Sequence, residues 1–122
     1  FRHVTWVGPD TLDLLRRLGV GFCCVDEPRL RSLMPPVAEV TSPVAYVRFH
    51  GRNARQWFNH QEAWQRYDYL YTREELAEWV PKVRALAQNS EVCFIFFNNH
   101  YNAQAVQNAQ LFTELLGNEG LL

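Results

Sequence analysis

Lysine is almost absent from this chain of 122 residues: Lys82 stands alone beside eleven arginines. Acidic residues outnumber basic ones by one, and a formal net charge of -1 gives no sign of a bulk electrostatic partner such as nucleic acid or an anionic membrane. The arginine bias reads first as a product of base composition and second as a stock of planar, bidentate anion clamps. Cysteine is scarce too. Cys23, Cys24 and Cys93 form no C-x-x-C pattern, so they read as small buried hydrophobes in a reducing compartment. No apolar run approaches the roughly 18 residues of a membrane span. No basic-then-apolar leader opens the chain either, so a cytoplasmic location is expected. The signatures H-E-x-x-H and G-x-S-x-G and the Walker-type phosphate loop are all missing. His3, Asp26, His50, Asp68 and His100 are ligand types, but no spacing fixes them around a metal, and no metal is assigned. The cofactor, if any, is unknown from sequence.

Four short apolar runs stand out as buried strands: HVTWV at 3–7, VGFCCV at 20–25, VAYVRF at 44–49 and VCFIFF at 92–97. Each is rich in β-branched, aromatic or cysteine residues, and each is too short for a helix. Such unbroken apolarity suits a parallel sheet covered on both faces. Helical patterns lie between them. The first spans about Asp10 to Leu18, with Asp10 as expected N-cap, a face of Leu12, Leu15 and Leu18 joined by Leu14, and Gly19 just past its end. The second starts at Thr72, where T-R-E-E sets Glu75 three residues after the cap. Leu76, Trp79, Val80, Val83 and Leu86 follow at helical spacing, and Pro81 should kink or divide that helix. The third follows Asn102, its expected cap, carries Ala105, Val106, Ala109, Phe112 and Leu116 inward, and stops at Gly117.

The order β-α-β-loop-β-loop-α-β-α predicts right-handed crossovers in an α/β fold. Two connections are long. Residues 27–43 hold four prolines and read as an irregular surface crossing. Residues 51–72 hold two Trp, three Tyr and several Arg, too aromatic for a flexible linker. Within them RYDYLYT at 66–72 reads either as a packed loop under the second helix or as a lid presenting phenols and Asp68.

Ligand sites in parallel α/β folds lie beyond the carboxyl ends of the strands. Those ends are polar here: Asp26 and Glu27, then Arg48, His50, Gly51 and Arg52, then Asn98, Asn99 and His100. Alternation puts Tyr46, Arg48 and His50 on one face of their strand, and a face with that chemistry should point into a barrel mouth. Arg2 is expected to point the same way from the first strand, so that two guanidiniums share the interior and need anionic partners. Arg48 has an equally good reading as half of a buried ion pair, and His50 and His100 as satisfied structural histidines.

The segments FRHVTW, VAYVRFHGRN, RYDYLYTREELAEWV and FIFFNNHYNAQAVQNAQLFTELL, in that order, resemble the carboxyl half of the domain of unknown function 72, or YecE-like, family. Arg2, His3, Arg48, His50, Gly51, Tyr69, Asn98, Asn99 and Asn108 fall in the segments that carry the likeness. The resemblance implies a TIM-barrel-like fold of which this chain would be about half, four parallel strands with flanking helices, lacking the amino half with its G-T-S-G-W segment. It implies either that missing half or self-association as partner, because half a barrel leaves two open strand edges. It carries no activity.

The expectation is a single segment, residues 1–122, with a polar site acting on a small polar or anionic molecule. His50 would be its general acid or base. Arg2, His3, Asp26, Arg48, Arg52, Tyr69, Asn98, Asn99 and His100 would bind the substrate. A nucleic-acid or polyanion binder using Arg52, Arg55, Arg66 and the loop aromatics is the alternative, and a non-catalytic scaffold is a third.

Overall fold

A computed structural model describes all of residues 1–122. Three of the four apolar runs become strands: β1 (Cys23–Asp26), β2 (Val44–Phe49) and β3 (Val92–Phe97). They form one parallel sheet in the order β1-β2-β3, with Val25 opposite Arg48 and Arg48 opposite Phe96. Parallel neighbours share a face, so the register sorts the side chains into two sets. Cys24, Ala45, Val47, Phe49, Ile95 and Phe97 face one way. Cys23, Val25, Tyr46, Arg48, Phe94 and Phe96 face the other.

The first set lies under the helices. α1 (Pro9–Leu18), α2 (Arg73–Ala77), α3 (Val80–Gln88) and α4 (Gln104–Asn118) contribute Leu12, Leu76, Val83, Leu86, Phe112 and Leu116 to one core with it. Phe49 is its centre, stacked on Phe97 at 4.6 Å and edge-on to Tyr71, Trp79 and Phe112 at 5.3–5.5 Å. The second set is largely uncovered: Phe94 and Phe96 remain 46% and 48% exposed. The expectation of a sheet buried on both faces holds for one face only.

The run HVTWV is not a strand. Val4–Trp6 forms a 3-10 turn, and the Val4 N–H donates to the Ser32 carbonyl instead of to a strand ladder. At α1 the cap is Gly8, with Pro9 opening the helix and Asp10 inside its first turn, so Asp10 is not the cap. Leu12 is buried, whereas Leu14 and Leu18 are exposed. Gly19 ends the helix at φ 65°, as its place after Leu18 predicts. Thr72 and Glu75 form a reciprocal capping box at α2. Pro81 divides the second pattern into α2 and α3, where it occupies the first turn and so costs no helical hydrogen bond. Asn102 does not cap α4: it sits at φ 48° in a short turn, and Ala103 at φ 59° precedes the helix. Val106 faces solvent. The long segment 51–72 contains a 3-10 turn at Ala63–Tyr67, capped by Glu62 and Gln65. No helix is long and apolar enough to cross a membrane.

Candidate functional site

The strand ladder runs one rung beyond the strands. His50 N–H donates to the Asp26 carbonyl at 2.8 Å, and Asn98 N–H donates to the Phe49 carbonyl at 2.7 Å. This extension holds His50 and Asn98 in register, continuing the uncovered face of β2 and β3. Arg48, one step back along β2, donates to Asn98 Oδ1 at 3.3 Å, and the Asn98 amide nitrogen lies 3.3 Å from His50 Nδ1. Arginine only donates, so the Asn98 oxygen faces Arg48 and its NH2 faces His50. Nδ1 then accepts, and the imidazole proton sits on Nε2. The charge state agrees. Burial first, then the positive fields of Arg48 and Arg2, bring the His50 pKa down to about 4, which leaves the ring neutral at pH 7.

Arg48 and His50 open on a cleft of about 310 Å³ shared with Arg2, Glu27, Arg66 and Phe58. Its electrostatics are one-sided. No carboxylate stands within 4.0 Å of the Arg2, Arg48 or Arg66 guanidinium, although Arg16, Arg29, Arg52, Arg73 and Arg84 all have ion pairs. Arg48 Nε and Arg66 Nε are buried with no hydrogen-bond partner. Arg66 lies 6.0 Å from the Trp57 ring and 5.9 Å from the Tyr67 ring, and contacts His60 Nε2 at 3.0 Å. Glu27 is the one acid on the cleft wall. Its Oε1 accepts the Met34 N–H at 2.8 Å, and burial pushes its carboxyl above the ordinary range.

Other residues expected at the site stand elsewhere. Asp26 pairs in register with Phe49, so it faces the helices, fully buried. There it receives both forks of Arg52 at 2.9 Å, Trp79 Nε1 at 2.7 Å and the Tyr71 hydroxyl at 2.8 Å. Burial alone would raise its carboxyl, but the Arg52 and Trp79 hydrogen bonds with the Arg52 and Arg29 charges win and hold it below the ordinary range. Arg52 is committed to this knot and to Glu78 at 2.9 Å. The Tyr69 hydroxyl donates to Glu75, and burial together with that carboxylate pushes its pKa up to about 12. Asn99 is fully buried on the helix side, donating to the Tyr69 carbonyl at 2.7 Å and to Asn108 at 2.9 Å. His3 is exposed and accepts the Thr5 N–H, capping its own turn. His100 is exposed at the edge, bonded through Nδ1 to the Asn98 carbonyl. The fold therefore brings Arg2, Arg48 and His50 to one cleft with Asn98 behind them. His3, Asp26, Arg52, Tyr69 and Asn99 lie outside it.

RYDYLYT is tied down along its length. Asn108 accepts the Tyr71 N–H and donates to the Tyr71 carbonyl, both at 3.0 Å, while Gln104 accepts the Tyr69 N–H at 3.0 Å. It is a packed strap, not a lid, although Tyr67 reaches the cleft. Gly51 makes the strap fit. Its φ is 90°, its N–H donates to the Tyr71 hydroxyl at 2.9 Å, and a Cβ there would meet Tyr69 Cβ at 2.8 Å.

Sequence reasoning placed Glu27 at the rim without counting it among the binding residues, and missed Trp57 and Phe58 as lining residues. Alternation would have found Glu27: once Cys24 and Asp26 face the core, the next side chain points the other way. Trp57 and Phe58 had only the aromatic excess of residues 51–72 as a signal. No three His, Cys, Asp or Glu side chains cluster in a way that would hold a metal ion.

Residues 1–121 match the family model described as protein of unknown function DUF72. The UPF0759 protein YunF of Bacillus subtilis is 32% identical over 126 residues, covering 95% of this chain and 45% of that protein. Among crystal structures, a DUF72 family protein of Thermotoga maritima superposes with a TM-score of 0.90 at 44% identity, covering 96% of this chain and 44% of that one. A DUF72 family protein of Enterococcus faecalis gives a TM-score of 0.83 at 28% identity, with 96% of this chain and 46% of that one covered. The chain thus spans less than half the length of these relatives. Arg48, His50 and Asn98 stand on the uncovered face of a fold shared with them, and the chain belongs to the DUF72 family.

Proposed function

We propose that the cleft binds a small anionic molecule and that the protein is an enzyme acting on it. The observation that carries this reading is the set of three arginines, Arg2, Arg48 and Arg66, around one cleft with no carboxylate in ion-pair range. Arg48, on the cleft wall with one bond to Asn98 and no carboxylate in range, has guanidinium donors left over for an anion. His50 supplies the chemistry. With Nδ1 held by Asn98 and the proton on Nε2, it enters as a neutral hydrogen-bond donor that polarises an oxygen of the substrate. Asn98 acts through it, as a positioning residue.

The polyanion reading draws less support, because Arg52 is consumed by Asp26 and Glu78, and of its other two arginines only Arg66 lines the cleft. The scaffold reading has the Arg and His rim residues pair internally; Asn98 bonds both Arg48 and His50 but leaves the Arg48 charge without a carboxylate. The same proposal takes the sheet as part of a TIM-barrel-like fold whose further strands cover Phe94 and Phe96. Sequential strand order, helices on one face and relatives of more than twice this length support that view. A cytoplasmic home is part of the proposal, in keeping with three free cysteines.

The test is a thermal-shift panel on the native gene product with phosphate, sugar phosphates, small carboxylates and a short oligonucleotide. A small anion at 100 times its Kd should add about 2.7 kcal/mol and raise Tm by several degrees, an effect lost in Arg48→Gln. A shift with the oligonucleotide alone, fading steeply with salt, would replace this reading by the polyanion one.

A further inference from the structure

The cleft has a second, uncharged half that the anion reading leaves unused. Beside the arginines its wall is a run of rings. His50 lies 6.1 Å from Tyr67, and Tyr67 lies 5.9 Å from Trp57 in an edge-on arrangement. Phe58 completes the wall at the mouth, lining the same cleft yet 69% exposed. The neighbouring Trp57 is buried and Arg66 is stacked over it, so the tract can bury aromatic side chains where packing asks for it. The Phe58 ring keeps most of its apolar surface uncovered beside the arginines, burial that a ligand in the cleft can supply. A planar group seated beside the arginines would cover it.

The two halves fix the class of ligand. Arg2, Arg48 and Arg66 bring three guanidiniums without carboxylate partners to one cleft, a donor set that suits the several oxygens of a phosphomonoester. Ring faces accept flat heterocycles by stacking. A volume of about 310 Å³ is that of a site for one small ligand. A longer polymer would need a charged track continuing from the cleft, and Arg52, an arginine of the polyanion reading just past the end of β2, is held by Asp26 and Glu78. We infer that the ligand is a phosphomonoester bearing a planar ring, of mononucleotide size, with its phosphate on Arg48 and Arg2 and its ring against Phe58. This inference rests on the anion reading above and names its substrate class.

Isothermal titration of the native gene product with AMP, UMP, ribose 5-phosphate and inorganic phosphate separates the two. At least one nucleotide should bind about tenfold or more tightly than ribose 5-phosphate, the gain expected of one stacked base. Phe58→Ala should reduce that nucleotide to the affinity of ribose 5-phosphate while leaving ribose 5-phosphate itself unchanged. Phe58 is exposed, so the variant folds. Ribose 5-phosphate binding as well as both nucleotides, or a nucleotide preference untouched by Phe58→Ala, would overturn the ring inference and leave the anion site standing. Absence of binding by all four would overturn both.

Discussion

His50 makes its one side-chain hydrogen bond through Nδ1, to Asn98, and carries a pKa depressed to about 4 by burial and by two neighbouring arginines. The linkage is direct. In the unfolded chain the imidazole titrates near 6.5, so between about 6.5 and 4 the unfolded state binds more protons than the folded one. The stability contributed by the neutral ring is fully present above pH 6.5 and is lost as pH falls toward 4, on the order of 3 kcal/mol. Asp26 acts lower. Its carboxyl is held below the ordinary value, so its contribution is present above about 3.8 and disappears only in stronger acid. Denaturant unfolding of wild type and His50→Gln from pH 7.5 to 3 should therefore show the slope between 6.5 and 4 flattened in the variant, with a steep loss below pH 4 in both. Equal slopes across the upper window would mean that His50 is not held neutral in the fold.

Elements here are stabilised by contacts that sequence patterns register unevenly. Phe49 and Gly51, two residues apart, show the contrast. Phe49 anchors the covered face with four aromatic neighbours, a place that the run VAYVRF makes legible. Gly51 holds the strap against the end of β2, which only its φ of 90° and its approach to Tyr69 reveal. Gly51→Ala should lower stability by at least about 2 kcal/mol, from left-handed strain together with the 2.8 Å approach. Thermal denaturation checks this, and an unchanged Tm would show that the strap is free to move away. The same contrast governs what the sequence disclosed. The Thr72 capping box, the division at Pro81 and the end of α1 at Gly19 are local chemistry and were readable. HVTWV has strand composition, yet it leaves the free edge of β1 unpaired and forms a 3-10 turn whose Val4 N–H goes to the Ser32 carbonyl. Arg48, His50 and Asn98 were legible as a group because alternation and ladder register are periodic. Asp26, Arg52, Tyr69 and Asn99 were misplaced because proximity to a strand end does not say which face a side chain takes. Asn102 and Ala103 adopt left-handed conformations that a helix-start pattern does not encode.

The whole molecule has one finished side and one open side. Helices close over Phe49, while Phe94, Phe96 and the arginine cleft lie on the face that no helix covers. On the proposed reading, further polypeptide or a second copy lies against this face, in a chain that matches less than half the length of its relatives. That added surface also decides the meaning of Arg48. If it leaves the cleft open, the guanidinium, bonded only to Asn98, is a ligand site; if it brings in a carboxylate, the guanidinium is half of a buried ion pair. A crystal structure of the native gene product soaked with selenate, with anomalous scattering used to locate the anion, distinguishes these directly. The account predicts an anomalous peak within hydrogen-bond reach of the Arg48 guanidinium and close to His50. A carboxylate from another part of the polypeptide bonded to Arg48, with no anion in the cleft, would contradict it.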